Sequence, residues 1–296
     1  MGGCSSNSSN NSNNDKVKDT VEDPLFADAI FTNPTQIDNQ YLPLIPGTVH
    51  LYNGVSEDGS ETIVYEVLDT TTEVDGVTSV IVQDRVFEDD LLIEDTYDWF
   101  AQDDDGIVWY LGEDVTNYEY DDDDDLLGTD NEGAWESGVD GAIAGIVMKA
   151  TFVVNDSYQQ EYYEGEAEDM ARIVALDVQV DLKDGSVYAN CLKTRDWNPF
   201  EPDDEENKYY APDVGVIREE LREDPDEESA ELIGIFLVGS DQVPDLGAAV
   251  FTNPTTIDNT YLPMIVGTVH TYEADTEDGI ETITTEVLNA TRVVNG

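Results

Sequence analysis

A long internal repeat is the feature that most restricts the architecture of this chain. Residues 29 to 76 recur at residues 249 to 296 without a gap, and about 30 of these 48 positions are identical. The spacing of 220 residues is too long for a solenoid repeat and is typical of whole domains in series. We therefore expect a disordered Ser/Asn-rich tether at 1–24, one complete domain at 25–240, and a linker with a truncated second copy at 241–296.

The second copy holds too little sequence for a core of its own. Residues 249–296 offer about three strands, and we expect the remaining strands of that domain to lie beyond residue 296. A strand at the edge of a sheet presents unpaired N–H and C=O groups that can pair with another chain. The exposed strand edges of 249–296 are therefore expected to pair with other copies of the protein.

Short runs of β-branched and aromatic residues dominate the chain from residue 47 onward, and helical periodicity is almost absent. The clearest runs have strand length, and they are Ile63–Leu68, Val77–Phe87 and Leu91–Ala101. Turn sequences such as Asp75-Gly76 separate them and predict antiparallel hairpins. Residues 112–150 look irregular and predict a Gly/Asp-rich excursion. Roughly ten strands in this order predict an all-β fold, either a strongly curved antiparallel sheet or an incomplete β-barrel.

The charge of the chain is extreme. There are 68 Asp and Glu against 12 Lys and Arg, which gives a net charge of −56. Such a surface repels itself at low ionic strength, and the pattern therefore favours a halophilic or calcium-rich setting. The alternative of general disorder is disfavoured because 40% of the residues are apolar and can bury a core. Nucleic acid is not an expected partner, because the stretch from Val86 to Met148 contains no Lys, Arg or His.

The first residues predict a lipid anchor. Gly2-Gly-Cys4 precedes a low-complexity Ser/Asn segment and resembles the end of a lipobox, in which Cys4 would become the lipidated first residue of an exported protein. Met1-Gly-x-x-x-Ser also fits a myristoylation pattern, which is an alternative. No apolar run approaches about 18 residues, so we expect the protein to meet the membrane only through this anchor, at the cell surface or in the periplasm. The other cysteine, Cys191, lies in an alternating stretch and is expected to be a core strand residue rather than a nucleophile.

Four longer motifs resemble a family of secreted and lipoprotein β-proteins of bacteria and archaea. They are Asn-Pro-x-x-Ile-Asp-Asn-x-Tyr-Leu-Pro from Asn33, Asp-Trp-Phe-Ala-Gln-Asp-x-Asp-Gly-x-Val-Trp-Tyr from Asp98, Glu-Tyr-Tyr-x-Gly-Glu-Ala-Glu-Asp-Met from Glu161, and Lys-Tyr-Tyr-Ala-Pro-x-Val-Gly from Lys208. The resemblance spans nearly all of 29–238 and implies a β fold without implying an activity. The pattern from Gly185 to Gly215 is also similar to periplasmic proteins with a half-open barrel, some of which carry lipids or lipoproteins.

Carboxylates provide the candidate metal ligands, and calcium is the candidate cofactor. Calcium takes six to eight oxygen ligands, and seven acidic residues lie beside aromatic side chains in two short segments. They are Asp103 and Asp105 in the first segment, and Glu161, Glu164, Glu166, Glu168 and Asp169 in the second. The second group would repel itself unless a cation or solvent separates its members. The alternatives are a plain hairpin turn for the first segment and a solvated face for the second.

Four further side chains are candidate ligand-binding residues, namely His50, Trp99, Trp109 and Tyr163. His50 and His270 occupy the same place in the two copies of Gly-Thr-Val-His. A histidine in an acidic field is expected to hold its proton more tightly, or it could ligate a transition metal together with carboxylates. The alternative for His50 is a strand residue packed on tyrosine.

The sequence therefore favours an exported, lipid-anchored, salt-adapted binding protein that is not an enzyme and that takes a divalent cation. A structural role as a cell-surface or filament protein of tandem β domains is one alternative. A hydrolase that uses a carboxylate pair on the concave face is another, although with 68 acidic residues the presence of such a pair carries little weight.

The net charge generates a first prediction. We expect the midpoint of thermal unfolding to rise steeply between about 0.1 M and 2 M sodium chloride, because the Debye length falls from about 10 Å to about 2–3 Å over that range. Circular dichroism melting curves at several salt concentrations measure this directly. A midpoint that stays constant across the range would contradict salt adaptation.

Overall fold

The structure is a computed structural model that describes residues 21–22, 26–56, 59–121, 123–222, 228–237, 269–276 and 279–288. The chain divides into two units, Met1–Ser240 and Asp241–Gly296, and each is described by itself.

The described residues of the first unit form strands and a short 3₁₀ helix, Phe26–Asp28. Its strands are β1 Val21–Glu22, β2 Ile37–Asp38, β3 Pro43–Leu44, β4 Thr48–Val55, β5 Ser60–Val74, β6 Val77–Glu88, β7 Leu91–Gln102, β8 Val108–Tyr120, β9 Leu126–Asp130, β10 Trp135–Glu136, β11 Ile143–Met148, β12 Ser157–Gln159, β13 Glu161–Tyr162, β14 Met170–Asp181, β15 Val187–Asn198, β16 Glu201–Ala211, β17 Gly215–Leu221 and β18 Ser229–Leu237.

One curved sheet holds nearly all of these strands. Its order is β1-β12-β14-β15-β16-β17-β18-β4-β5-β6-β7-β8-β11-β13, and β9 and β10 also pair with β8. Neighbours are antiparallel, except that β1 runs parallel to β12. The pairing of β18 with β4 joins the later strands to the earlier ones, so the sheet curls into a nearly closed barrel. The predicted all-β, strongly curved antiparallel architecture is confirmed.

The hairpin turns follow from the residues that the sequence places there. Asp75 and Gly76 have φ angles of 48° and 79°, and Asp89 and Asp90 have φ angles of 45° and 72°. Two successive residues with positive φ form the turn type whose twist matches that of the flanking strands. These turns connect β5 to β6 and β6 to β7, as the turn sequences predict.

The prediction for residues 112–150 is wrong in part. Strand β8 continues to Tyr120, and three further strands, β9, β10 and β11, pair with it. Gly112 reads as a loop residue in the sequence, but in the structure it has a φ of 131° and lies inside β8. A Cβ there would lie 2.9 Å from the Cα of Glu136, so this glycine permits close strand packing rather than ending the strand.

The main core lies where β5 to β8, β11, β14 and β15 meet the segment that precedes β4. Val82, Leu111, Met148 and Ile173 are fully buried there. A smaller cluster lies under β15 to β18 and contains Cys191, which is buried in β15, as the alternating pattern predicts.

The second unit contains a hairpin of β19, Val269–Thr276, and β20, Gly279–Glu286. Val269 pairs with Glu286, just as Val49 pairs with Glu66 in the hairpin of β4 and β5. The repeat is therefore also a repeat of strand register. One substitution stands out, because Ala274 takes the place of Gly54.

The pairing of β18 with β4 generates a prediction at Gly54. A Cβ at this position would press on the Ser229 carbonyl oxygen and lie 2.9 Å from the Cα of Ala230 on β18. We expect Gly54→Ala to lower the free energy of unfolding by about 1–3 kcal/mol, because the backbone of β18 has to move away. Denaturant unfolding in high salt measures the loss.

Gly128→Ala is the matched control, because nothing lies within 4 Å of a Cβ at that strand position. If both variants unfold at the same denaturant concentration, the close approach of β18 to β4 does not hold the sheet together.

Candidate cation-binding cavity

The concave side of the sheet contains two adjoining cavities. The first, which we call the inner cavity, has a volume of about 240 Å³, and the second, the acidic chamber, has a volume of about 440 Å³. Five residues line both of them, namely Asp84, Asp98, Glu161, Asp169 and Lys208. Any ligand in one cavity would therefore contact the charged wall that it shares with the other.

The inner cavity combines apolar and polar walls. Its apolar part includes Leu42, Leu44, Ile63, Phe100 and Val216. Four tyrosines also line it, namely Tyr52, Tyr65, Tyr110 and Tyr210. Burial raises the pKa of each of these tyrosines, so the rings stay neutral at physiological pH.

Strand alternation explains why the acidic chamber is so densely charged. Residues two apart on a strand share one face, and Glu94, Thr96 and Asp98 follow each other in this way along β7. Asp84 on β6 and Glu113 on β8 add carboxylates from the neighbouring strands. The chamber therefore collects acidic residues from three consecutive hairpin strands.

Lys208 on β16 is the cation that lines both cavities. Its Nζ lies 3.5 Å from Oε2 of Glu206 and 3.6 Å from Oε1 of Glu219. Burial alone would lower the pKa of Lys208, but the carboxylates of Glu219, Glu206 and Asp196 raise it well above its ordinary value. The ammonium is therefore held in its charged form and offsets part of the negative charge around it.

Asp98 illustrates the cost of burying these acids. Only 8% of its surface is exposed, and the Tyr110 hydroxyl donates a hydrogen bond of 2.5 Å to its Oδ1. Burial raises the pKa of Asp98 to about 7, although the hydrogen bond from Tyr110 acts in the opposite direction. A group with this pKa carries a proton for much of the time at neutral pH.

The pKa values of three neighbouring carboxyl groups are also raised. Burial and then the charge of Asp98 raise the pKa of Glu113 to about 8. Burial and then the charge of Asp169 raise the pKa of Glu161 well above its ordinary value, and burial does the same for Asp84. These carboxyl groups would bind either a proton or another cation to relieve their repulsion.

The structure separates the five predicted ligands of the second acidic segment. Glu161, Glu166 and Asp169 line the acidic chamber, whereas Glu164 and Glu168 are absent from its lining. The Glu168 carboxylate instead accepts a hydrogen bond from the Gly165 N–H, across a tight loop in which Tyr163 pairs with Ala167.

The first acidic segment does not line either cavity, and its Asp103 carboxylate forms hydrogen bonds within its own turn. The Asp103 carboxylate accepts hydrogen bonds from the N–H groups of Asp105 and Ile107 and from Nε1 of Trp109. Both of its oxygens are thus used to hold the turn between β7 and β8. Asp105 is exposed beside it.

The four predicted ligand-binding side chains have different surroundings. His50 lines the inner cavity, where it stacks on Tyr65 with ring centres 6.1 Å apart. Burial lowers the pKa of His50, so the expectation that the acidic field would raise it is wrong. Trp109 is 2% exposed in the core, while Trp99 and Tyr163 pack against that core. Cys4 and the side chain of His270 lie outside the described residues.

Several residues of the site were missed by the sequence reasoning. Asp84 and Glu94 were not among the candidates, and Lys208 appeared only within a motif. The alternation of Glu94, Thr96 and Asp98 was a usable signal, because it predicts one shared face. Nothing in the sequence singles out Asp84 among 68 acidic residues.

No set of three His, Cys, Asp or Glu side chains is arranged to hold a bare metal ion within the described ranges. No helix in the described part of the chain is long and apolar enough to cross a membrane.

No protein-family model matches this chain, and no curated protein matches it. A similar solved structure is that of a protein from Parabacteroides distasonis described as a "putative lipoprotein". The two sequences are 11% identical, the TM-score is 0.34, and the match covers 67% of this chain and 99% of that chain. A TM-score this low supports no inference from that protein to this one.

The raised pKa values predict how stability depends on pH. A carboxyl group whose pKa is higher in the folded state binds its proton more tightly there, so the folded state gains stability on acidification. We expect the melting temperature in constant high salt to rise as the pH falls from about 8.5 toward 5, across the values of about 7 and 8 for Asp98 and Glu113.

The double variant Asp98→Asn with Glu113→Gln serves as the comparison, and its melting temperature should depend less on pH over the same range. A wild-type melting temperature that falls on acidification from pH 8.5 to 6 would show that these carboxyl groups are not buried as described.

Proposed function

We propose that this protein is an exported, lipid-anchored binding protein that holds a cation in the acidic chamber. The observation that carries the proposal is that seven carboxyl groups line one chamber together with Lys208. They are Asp84, Glu94, Asp98, Glu113, Glu161, Glu166 and Asp169. A cation that binds the folded state alone would stabilise it by mass action, and here it would also relieve repulsion that protons otherwise relieve.

Calcium is the proposed ion, held with part of its hydration shell. Carboxylate oxygens are its preferred ligands, and extracellular calcium sites commonly work at about 10⁻⁴–10⁻³ M. The carboxyl groups surround a space of about 440 Å³, which is far larger than a bare ion needs. Retained water would bridge the ion to the walls, in keeping with an exported protein in a salty medium.

The hydrolase alternative finds less support in the cavity. Catalysis by two carboxyl groups works best when their pKa values are pushed apart, so that one is protonated and the other ionised. The pKa values of Asp98, Glu113, Glu161 and Asp84 are all shifted upward. These four groups would thus respond together to one cation or one change of pH.

The structural alternative rests on a different observation. The hairpin of β19 and β20 repeats the register of β4 and β5, so the same hairpin occurs twice in the described part of the chain. Tandem β domains on a tether would suit a cell-surface protein, with cation binding as a means of stabilisation.

Calcium binding has a direct thermal test. We expect millimolar calcium chloride to raise the melting temperature more than sodium chloride of equal ionic strength does, because the ion would bind the folded chamber specifically. Glu161→Gln with Asp169→Asn should remove this extra increment and leave the response to sodium chloride intact. Differential scanning calorimetry of both proteins provides the comparison.

Glu164→Gln with Glu168→Gln is the matched control, since it removes the same charge from the same segment without touching the chamber. This control should keep the calcium increment. The increment should also shrink between pH 8.5 and pH 6, where protons compete for Asp98 and Glu113. Equal increments in all three proteins would refute the site, and so would a wild type that shows none beyond ionic strength.

A further inference from the structure

The few basic residues of this acidic protein are not spread evenly. The chain has 12 Lys and Arg, and three of them, Lys16, Lys18 and Arg292, lie outside the described residues. Four of the others line one groove on β14, β15 and the end of β17, namely Arg172, Lys193, Arg195 and Arg222. We call this site the basic groove.

The basic groove is unusual because its described lining contains no carboxylate. It has a volume of about 340 Å³, and its remaining lining residues are Asn155, Val174 and Asn207. No carboxylate is among the lining residues in the described part of the chain, although the sequence has 68 Asp and Glu. Arginine, lysine and asparagine side chains all offer N–H donors, so the groove is equipped to bind an anion.

Strand alternation places the groove on the convex face of the sheet. Thr194 and Asp196 on β15 are buried, and Lys193, Arg195 and Trp197 alternate with them. The charge of Asp196 acts on Lys208, which lines the cavities on the concave side. The basic groove is thus separate from the acidic chamber.

The basic groove keeps like charges side by side. Arg172 on β14 is directly opposite Arg195 on β15, and both guanidinium groups lie over the ring of Trp197, at 5.8 and 5.1 Å. Like charges that face each other across strands destabilise a sheet unless something offsets them. The described structure offers Glu205, which forms ion pairs with both Arg195 and Arg222.

Lys193 has different partners. Its Nζ lies 2.7 Å from the Tyr209 hydroxyl and 3.9 Å from Oε1 of Glu220, and Glu220 also pairs with Arg218. Each of these two carboxylates therefore serves two cations. An anion in the groove would lie against all four of its basic side chains.

The first described strand, β1, lies close to the basic groove. Val21 on β1 pairs with Ser157 on β12, and Ser157 pairs with Arg172 on β14. The Nε of Arg172 donates a hydrogen bond of 2.9 Å to Oγ of Ser157.

We propose that the basic groove is an anion site that binds a phosphoryl group. Guanidinium groups match the oxygens of a phosphoryl group with paired N–H donors, and three arginines converge here. The phosphoryl group would come from a lipid headgroup or from a soluble phosphate ester. A lipid headgroup as the source of the phosphoryl group rests on the proposed lipid anchor. The anion site itself depends neither on that anchor nor on calcium.

Two binding measurements on the unlipidated full chain test the proposal. The first is isothermal titration with inorganic phosphate, in sodium chloride at which circular dichroism shows a folded chain. The second is co-sedimentation with vesicles of phosphatidylglycerol and phosphatidylcholine, compared with vesicles of phosphatidylcholine alone. Arg172→Gln with Lys193→Gln should weaken phosphate binding by about tenfold or more, because charge-assisted hydrogen bonds are lost.

Arg85→Gln with Lys183→Gln is the matched control. It changes the net charge equally, and both residues lie outside the basic groove. The control should bind phosphate like the wild type, which would separate a specific site from a general effect of charge.

Each outcome decides a point. If the groove variant loses phosphate binding and the control keeps it, the site is supported. Capture of the wild-type protein on phosphatidylglycerol vesicles then identifies a lipid headgroup as the source of the phosphoryl group. Phosphate binding without capture identifies a soluble phosphate ester. A wild type that binds no phosphate, or equal binding by both variants, would overturn the proposal, whatever the calcium measurements show.

Discussion

The pairing of β18 with β4 is the constraint on which the rest of the structure depends. It joins the hairpins formed by β4 to β8 to those formed by β14 to β18, and it runs from Ser229 opposite Val55 to Leu237 opposite Thr48. Without this ladder the sheet would separate into two smaller sheets, one with β12 and β14 to β18 and the other with β4 to β8 and β11. With it, the carboxylates of β6 and β7 come to face Lys208 on β16 across the same cavities. The site therefore exists because distant parts of the sequence meet, which is also why Gly54 has to be small.

Closing the sheet has an electrostatic cost. A buried carboxyl group loses its hydration, and the protein can respond by keeping a proton on it, by pairing it, or by binding a cation. Lys208 pairs with Glu206 and Glu219, while burial raises the pKa values of Asp98 and Glu113. An apolar interior would be more stable. Sequences commonly depart from such rules where a site has a function, and this interior is a candidate of that kind.

The sequence predicted much of the fold because the relevant signals were local. Alternating β-branched residues and an Asp-Gly turn were enough to place β5, β6 and β7, and the structure confirms them. The prediction for the region after Gly112 was wrong for a physical reason. A glycine that permits close strand packing looks the same in sequence as one that forms a loop.

The candidate site was only half predictable. The segment from Glu161 to Asp169 was a sound choice, but which of its carboxylates face the chamber depends on the loop held by Tyr163 and Ala167. Asp84 and Lys208 enter the site through the closure of the sheet, and no local pattern reports that. His50 shows the same limit. The local sequence suggests that nearby acids raise the pKa of His50, but it does not show that burial lowers this pKa by more.

Strand β15 carries opposite charges on its two faces. On β15, Arg195 lines the basic groove while Asp196 acts on Lys208, and on β16, Asn207 lines the groove while Lys208 lines the cavities. Because consecutive residues on a strand alternate between faces, a run such as Arg-Asp-Trp separates charge across the thickness of the sheet. Charges a few ångströms apart lie within a Debye length of about 8 Å at physiological ionic strength, so the two faces sense each other. An anion in the basic groove would strengthen the negative field inside and thereby favour a cation in the chamber. In molar salt this coupling weakens, because the Debye length falls to about 3 Å. A halophilic setting would thus leave the groove and the chamber to fill almost independently.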